Sequence, residues 1–187
     1  INNFTEEIIE LAVRLNLDVI IASQSKLDES LLKNLKHRTR ASVYGKVTGF
    51  EGKPLLDKYP DAVPVTHDDT PTTSDWYVGV CPTHAGVKTE IQSRIDSVIE
   101  LGVDGIWLQF MHYPTKWDEQ KPVIMDTCYC DRCISKFKDY VGDEFEYSDM
   151  EELFLLIDGS YYQEWLDFKA KQIVSMVKYA RDAITTS

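Results

Sequence analysis

Apolar residues recur at helical spacing over residues 4–15, where Ile8, Leu11, Ala12 and Leu15 share one side. Thr5 is placed to cap that helix, with Glu6 and Glu7 in its first turn. Residues 18–22 then hold the short run Val19, Ile20, Ile21, the pattern of a strand buried on both faces. A second helix is predicted over 28–37, with Leu31, Leu32 and Leu35 on one side, and a second strand over 41–47. Gly49, Gly52, Pro54, Pro60, Pro64 and Pro71 punctuate 48–80, which reads as a long loop-rich stretch of the kind that carries function. Residues 87–101 form an amphipathic helix through Val87, Ile91, Ile95, Val98, Ile99 and Leu101, and Gly102 is placed to stop it. The strongest strand follows at 103–111, nearly all apolar, so both of its faces are expected to be covered. Three further helices are predicted at 134–141, 151–157 and 161–185, the last with Trp165, Phe168, Ile173, Val177 and Ala180 on or near one face.

Helix, tight turn and buried strand is the unit of a parallel α/β sheet. A complete (β/α)8 barrel needs roughly 250 residues, and this chain has 187. The fold class is therefore α/β, either part of a TIM (β/α)8-barrel-like sheet or a smaller open one. Residues 1–187 are taken as a single α/β domain or the N-terminal portion of a larger barrel. No internal repeat or low-complexity tract is visible.

Composition narrows the partners. With 43% hydrophobic and 11% aromatic residues the chain can bury a core. Lys and Arg number 20 against 31 Asp and Glu, a net charge of −11, which argues against nucleic acid or an anionic membrane as partner. No apolar run approaches the roughly 20 residues that span a bilayer, and no signal peptide is visible. The chain opens on Ile1, Asn2, Asn3 without Met, so the true N-terminus or a leader is expected to be missing. The compartment stays open, with the cytoplasm slightly favoured, and so does a homo-oligomer.

The four cysteines change the picture most. Cys128, Cys130 and Cys133 form a Cys-x-Cys-x-x-Cys motif, and Cys81 lies 47 positions before it. Four thiolates suit a tetrahedral zinc ion and leave no open position, so the metal is expected to be structural. The helix that starts at the third cysteine of the motif helps to keep the thiolates ionised. The alternatives are two disulfides or four free thiols. A Cys-x-Cys bridge is strained, and a Cys-x-x-Cys bridge signals redox chemistry.

An early-loop cysteine followed about 45 residues later by Cys-x-Cys-x-x-Cys resembles the zinc site of the family 42 β-galactosidases. The wider context resembles uncharacterised glycoside hydrolases with (β/α)8 barrels. The matching stretches are 77–84, with Cys81, Pro82, Thr83 and His84; 103–108, with Asp104, Gly105, Ile106 and Trp107; His112, Tyr113, Pro114; and 127–133 with Phe137. The helix from Trp165 and Phe168 to Arg181 is similar to the one that follows in such proteins, so the resemblance covers about 76–181. It implies a retaining, two-carboxylate hydrolase of O-glycosidic bonds and a carbohydrate ligand. The family's Asn-Glu acid/base pair would fall at Met111 and His112, which do not match it. Gln109 stands where the uncharacterised relatives often carry an Asp.

In a barrel the chemistry sits where strands end. The catalytic candidates are accordingly Glu119, Asp118 and His112. Gln109, Trp117, Tyr113, Asp68 and Asp69 are the substrate-binding candidates, with His67 beside the last two. A carboxyl with a raised pKa can serve as general acid, His112 as proton donor, Trp117 as a stacking face for a sugar ring, and Gln109 as a partner for a hydroxyl. Each has a structural alternative, from a solvated loop charge to a satisfied interior amide. Tyr44 and Lys46 are weaker candidates on the second strand. Two rival readings share these residues: a non-catalytic carbohydrate-binding or scaffold module, and a zinc-stabilised interaction domain.

Overall fold

The apolar runs become three parallel strands, β1 (Val19–Ser23), β2 (Ser42–Thr48) and β3 (Gly105–Gln109), in the spatial order β1-β2-β3. The computed structural model describes residues 3–68, 72–73, 77–116, 120–121 and 123–186. They divide into two compact units. One comprises Ile1–Gly49, Glu90–Gln109 and Lys178–Ser187; the other comprises Phe50–Thr89 and Phe110–Val177.

The strand unit holds the parallel sheet with α1 (Asn3–Leu15) and α2 (Glu29–Arg38). Asp28 caps α2 by accepting the Leu31 N–H at 2.7 Å. Ile9, Leu27, Leu32, Leu35 and Val43 form its core, with Ile20 and Ala22 packed against them. The helix α4 (Ala85–Glu100) comes so close to β2 that a Cβ on Gly45 would stand 2.1 Å from Val98 Cγ1. Gly102, at φ +82°, ends α4 as expected. The turn into β3 is then fastened by Asp104. Its carboxylate accepts the Val43 N–H at 2.8 Å and pairs with Lys36 Nζ at 2.8 Å. Lys36 also reaches the Gly102 carbonyl at 2.7 Å.

The expectation that β1 and β3 are covered on both faces is not met. Val19, Ile21 and Trp107 are 51%, 43% and 50% exposed. Strand register puts Ile21 beside Tyr44 and Lys46 beside Trp107 on this open face, while Ile20, Ala22, Val43 and Val47 point to the other. The described helices of the unit pack on that second face, so an all-apolar strand does not by itself imply two covers. Tyr44 lays its ring over Gly105, where a Cβ would meet Tyr44 Cε1 at 2.2 Å.

The second unit begins with α3 (Lys53–Lys58) and a 3₁₀ turn over Pro60–Ala62, so the expected long loop contains short helical structure. A two-stranded antiparallel pair, β4 (Thr115–Lys116) and β5 (Val123–Ile124), precedes α5 (Asp131–Val141), α6 (Met150–Ser160) and α7 (Tyr162–Thr185). Phe137, Phe145, Leu153, Ile157, Trp165 and Phe168 pack around the buried cysteines. Phe137 meets Trp165 edge-on at 4.9 Å. Val177, expected on the buried face of α7, is 43% exposed. The buried positions run 165, 168, 176 and 180, and Val177 lies about 100° round the helix from Met176. No described helix is long and apolar enough to cross a membrane.

Two measurements check this account. Gly45→Ala should cost about 1–3 kcal/mol in urea unfolding, because Val98 is fully buried and has nowhere to move. The Asp104 carboxyl is held below the ordinary carboxylate range, since Lys36 and the Val43 N–H outweigh the opposing effect of burial. Asp104→Asn should cost about 1 kcal/mol at pH 7, a modest figure because the pair is over one-third exposed. The charge stabilises fully above the ordinary carboxylate value of about 4 and ceases to as pH falls through the lowered folded value. The difference between the two proteins should therefore shrink below about pH 4.

Candidate metal centre

Backbone hydrogen bonds fix the Cys81 loop. The Cys81 N–H donates to the Ala62 carbonyl at 2.8 Å, and the His84 N–H closes a turn onto the Cys81 carbonyl at 3.1 Å. His84 Nδ1 then accepts the Val87 N–H at 3.1 Å and serves as a cap to the first turn of α4. On the other side Cys130 is the N-cap of α5, its carbonyl accepting the N–H groups of Cys133 and Ile134 at 2.8 and 3.1 Å. Tyr129 N–H donates to the Val65 carbonyl at 2.8 Å, and Val65 N–H in turn points at Cys128 Sγ, 3.3 Å away.

These loops bring the four sulfurs within 4.8 Å of one another. Cys81 Sγ is 3.4 Å from Cys133 Sγ and 3.9 Å from Cys130 Sγ, too far for a disulfide. All four are free thiols; Cys81, Cys128 and Cys133 are fully buried and Cys130 is half-buried. The set can hold one metal ion.

Its electrostatics point the same way. Hydrogen bonds from Cys128, Cys130 and Cys133, and then from Thr83, drive the Cys81 thiol far below its usual pKa against the effect of burial. The bond to Cys128 heads the interactions that push Cys133 the opposite way. Cys130 is lowered as well, first by its bond to Cys128, so the protons are shared unevenly over the four sulfurs, an arrangement in which a cation can replace them. Buried Thr83 places its Oγ1 3.1 Å from the sulfurs of both Cys81 and Cys133. Lys136 Nζ donates to the Thr83 carbonyl at 2.9 Å. Burial and then repulsion by Lys136 depress the Lys88 amine, while Cys81 and Cys133 pull it back up.

Two polar ties brace the loops. Asp61 accepts from Arg132 and lies 3.2 Å from His84 Nε2, linking the Cys81 turn to α5. Asp126 accepts from Lys169 at 2.8 Å, from Trp165 Nε1 at 3.3 Å and from the Tyr129 hydroxyl, which anchors the segment entering Cys128 to α7. Burial would raise the Asp126 carboxyl, but Lys169 and these donors hold it low.

Of the residues expected to meet at one place, the four cysteines do. Gln109 ends β3 in the strand unit, half-buried, with its carbonyl accepting the Gly49 N–H at 2.8 Å. His112, Tyr113 and Asp68 belong to the second unit. His112 donates from Nδ1 to the Tyr113 carbonyl at 2.7 Å and stacks on Tyr77 with ring centres 5.7 Å apart. Tyr113 packs against the cysteine cluster; its buried hydroxyl has no partner among the described residues, and burial, then the nearby cysteines, raise its pKa. Asp68 is exposed, next to His67, whose ring stacks on Phe154 at 3.9 Å. Trp117, Asp118, Glu119 and Asp69 lie outside the described residues.

Several contributors escape a motif search. Thr83, Lys88, Lys136, Asp61 and Arg132 all support the thiol set. The available signal was proximity: Thr83 is two residues past Cys81, and Lys136 three past Cys133. Glu51 is a half-buried carboxyl just beyond β2, accepting the Val78 N–H, with its pKa raised by burial.

No family model matches the chain, and no curated protein matches it. Solved structures do. A beta-galactosidase from Rahnella sp. R3 superposes with a TM-score of 0.66 at 13% identity, over 98% of this chain and 32% of its own. The alpha-L-fucosidase isoenzyme 2 from Paenibacillus thiaminolyticus gives 0.63 at 14% identity, over 97% of this chain and 27% of its own. A hypothetical protein from Ruminiclostridium thermocellum ATCC 27405 gives 0.57 at 13% identity, over 96% of this chain and 85% of its own. The chain thus spans about a third of the length of the beta-galactosidase it matches. At these identities the likeness is one of fold: a mixed α/β architecture with a three-stranded parallel sheet, shared with parts of glycoside hydrolases.

Proposed function

We propose that this chain is a partial TIM-barrel-type unit of a carbohydrate-active protein, a glycoside hydrolase in the first instance, braced by a structural zinc ion. The observation that carries the metal assignment is the buried set of four free thiols. Zinc–sulfur bonds of about 2.3 Å in a tetrahedron require sulfur separations near 3.8 Å. The separations of 3.4 and 3.9 Å straddle that value. Four soft sulfur donors select zinc over hard cations, which prefer oxygen. With every coordination position taken by protein, the ion supplies cohesion to two loops and no chemistry of its own.

The carbohydrate assignment rests on fold likeness to a beta-galactosidase and a fucosidase. On this reading Glu119 or Asp118 is the general acid of O-glycosidic hydrolysis, and His112 is a further candidate proton donor. The candidates for contact with a sugar are Gln109 in the strand unit and, separately, Tyr113, Asp68, Asp69 and Trp117. A second reading, a non-catalytic carbohydrate-binding module, is favoured by one observation. The end of β3 carries an amide, Gln109, which can bind a hydroxyl but cannot be an acid or a nucleophile.

Purified protein should contain one zinc per chain by elemental analysis, and a chelator should release it together with four titratable thiols. Cys133→Ser should lower the unfolding midpoint by about 10 °C or more, the equivalent of roughly 3–4 kcal/mol for a chain of this size. Thr83→Val, which removes the hydroxyl at nearly constant volume, should weaken zinc in a chelator competition by about 10-fold or more. Protein with less than a trace of metal, and no change in any of these, would refute the assignment.

Turnover of a panel of chromogenic glycosides should fall by about 10³-fold or more in Glu119→Gln if the protein is a glycosidase. Saccharide binding with no turnover in either form would select the module. Neither binding nor turnover would remove the carbohydrate reading.

A further inference from the structure

At the carboxyl ends of β1 and β2, within the strand unit, a pocket of about 250 Å³ is lined by Ser23, Gln24, Ser25, Lys46, Thr48 and Arg94. We propose that it binds the anionic group of an acidic saccharide, a carboxylate or a sulfate on the sugar, and that Trp107 is the platform for the sugar ring. The saccharide part of this inference rests on the carbohydrate reading above.

The donor set is one-sided. Two cations, three hydroxyls and an amide line the pocket, and no carboxylate does among the described residues. Such a set matches an oxyanion, whose oxygens only accept. Lys46 has no ion-pair partner among the described residues, although the chain as a whole carries a net charge of −11. Arg94 reaches Glu90 Oε1 from both Nε and Nη2 at 3.5 Å, the long end of a hydrogen bond, so its charge is shared with Glu90 and Lys46 is the cation left for a ligand. The Gln24 amide donates to the Arg94 carbonyl at 3.5 Å and so ties the 3₁₀ turn Gln24–Lys26 to α4.

Strand register adds the sugar. Ser23 and Lys46 are partners across β1 and β2, and Lys46 and Trp107 are partners across β2 and β3. Parallel partners point to the same face, about 4.8 Å apart along the sheet. Thr48 and Gln109, two residues further on, are partners on that face as well. The half-exposed Trp107 indole is therefore a flat apolar surface beside the cation, suited to the C–H side of a pyranose. Gln109 stands at the next step with an amide for a hydroxyl. Apolar platform, amide and cation in one row describe a sugar acid better than a bare ion.

The test is an amide-resolved NMR titration of the intact chain with galacturonate, galactose 6-sulfate, galactose and inorganic phosphate at 50 mM salt. Both acidic sugars should move the amides of residues 23–26 and 46–48 and bind about tenfold or more tightly than galactose. Lys46→Met should bring the acidic sugars to within about twofold of galactose. Lys46→Arg should retain the preference, and Trp107→Ala should weaken acidic and neutral sugars alike. Unchanged amide dispersion identifies folded variants. Galactose binding as well as galacturonate, or Lys46→Met without effect, would overturn the anion pocket while leaving the carbohydrate reading in place. Phosphate binding at these amides as well as the acidic sugars, with no response to Trp107→Ala, would keep the anion pocket and remove the saccharide. Silence of these amides to both acidic sugars would overturn the proposal. So would a concentration-dependent dimer that shifts the Val19, Ile21 and Trp107 amides, because a second copy would then cover the face.

Discussion

Four thiol groups confined within 4.8 Å of one another set the terms for the second unit. In a buried site they cannot all ionise without a compensating cation, because like charges at such separations repel strongly where water is excluded. Nor do their weak S–H donors make a good network when all stay protonated. The surrounding residues address that difficulty. Thr83 directs a hydroxyl at two sulfurs, the Val65 N–H faces a third, and Lys88 and Lys136 bring positive charge close by. The aromatic packing of Phe137, Trp165 and Phe168 excludes water from the same region. The loops that carry the cysteines have little regular structure of their own, so their positions depend on these polar ties and on what the sulfurs hold.

The strand unit is held differently. Its cohesion comes from one apolar face and from close backbone approach, with Gly45 under Val98 and the turn before β3 fastened through Asp104. The opposite face of the same three strands keeps Val19, Ile21 and Trp107 in contact with solvent. Val19 and Ile21 stand on β1 and Trp107 on β3, with Tyr44 and Lys46 of β2 between them.

The sequence was informative where the physics is local. Helical spacing located the longer helices to within a few residues but not α3, and Gly102 marked the end of α4 by taking a left-handed turn. The cysteine spacing identified the thiol set, since a Cys-x-Cys-x-x-Cys run can converge on one point with little help. What could not be read was set by partners distant in the chain. Whether an apolar strand has one cover or two depends on which elements pack on it, and Trp107 looks the same in either case. The roles of Asp61 and Asp126 depend on Arg132, 71 residues away, and on Lys169, 43 away. A carboxylate at such a position reads as a solvated loop charge until the fold supplies its partner.

The same distinction separates the two kinds of site in this chain. The cysteine cluster is closed: its donors face one another, three of its four cysteines are fully buried, and a bound ion would have every contact supplied by protein. The row of Lys46, Trp107 and Gln109 is open: its groups point from adjacent strands to one face, and Lys46 has no ion-pair partner among the described residues. A closed centre contributes stability and is legible from sequence, because its donors must be a few chemical types at short spacing. An open row contributes recognition and is not, because Lys46 and Trp107 lie 61 positions apart and become neighbours only through parallel pairing. Net charge sharpens the contrast. In a chain of −11 the long-range field repels anions, so a pocket lined by Lys46 and Arg94 would have to act at contact distance, through oriented donors and not through attraction from afar. Recognition of that kind discriminates among ligands by where they carry their charge, which is the property a saccharide site needs when its candidates differ by one oxidised or sulfated carbon.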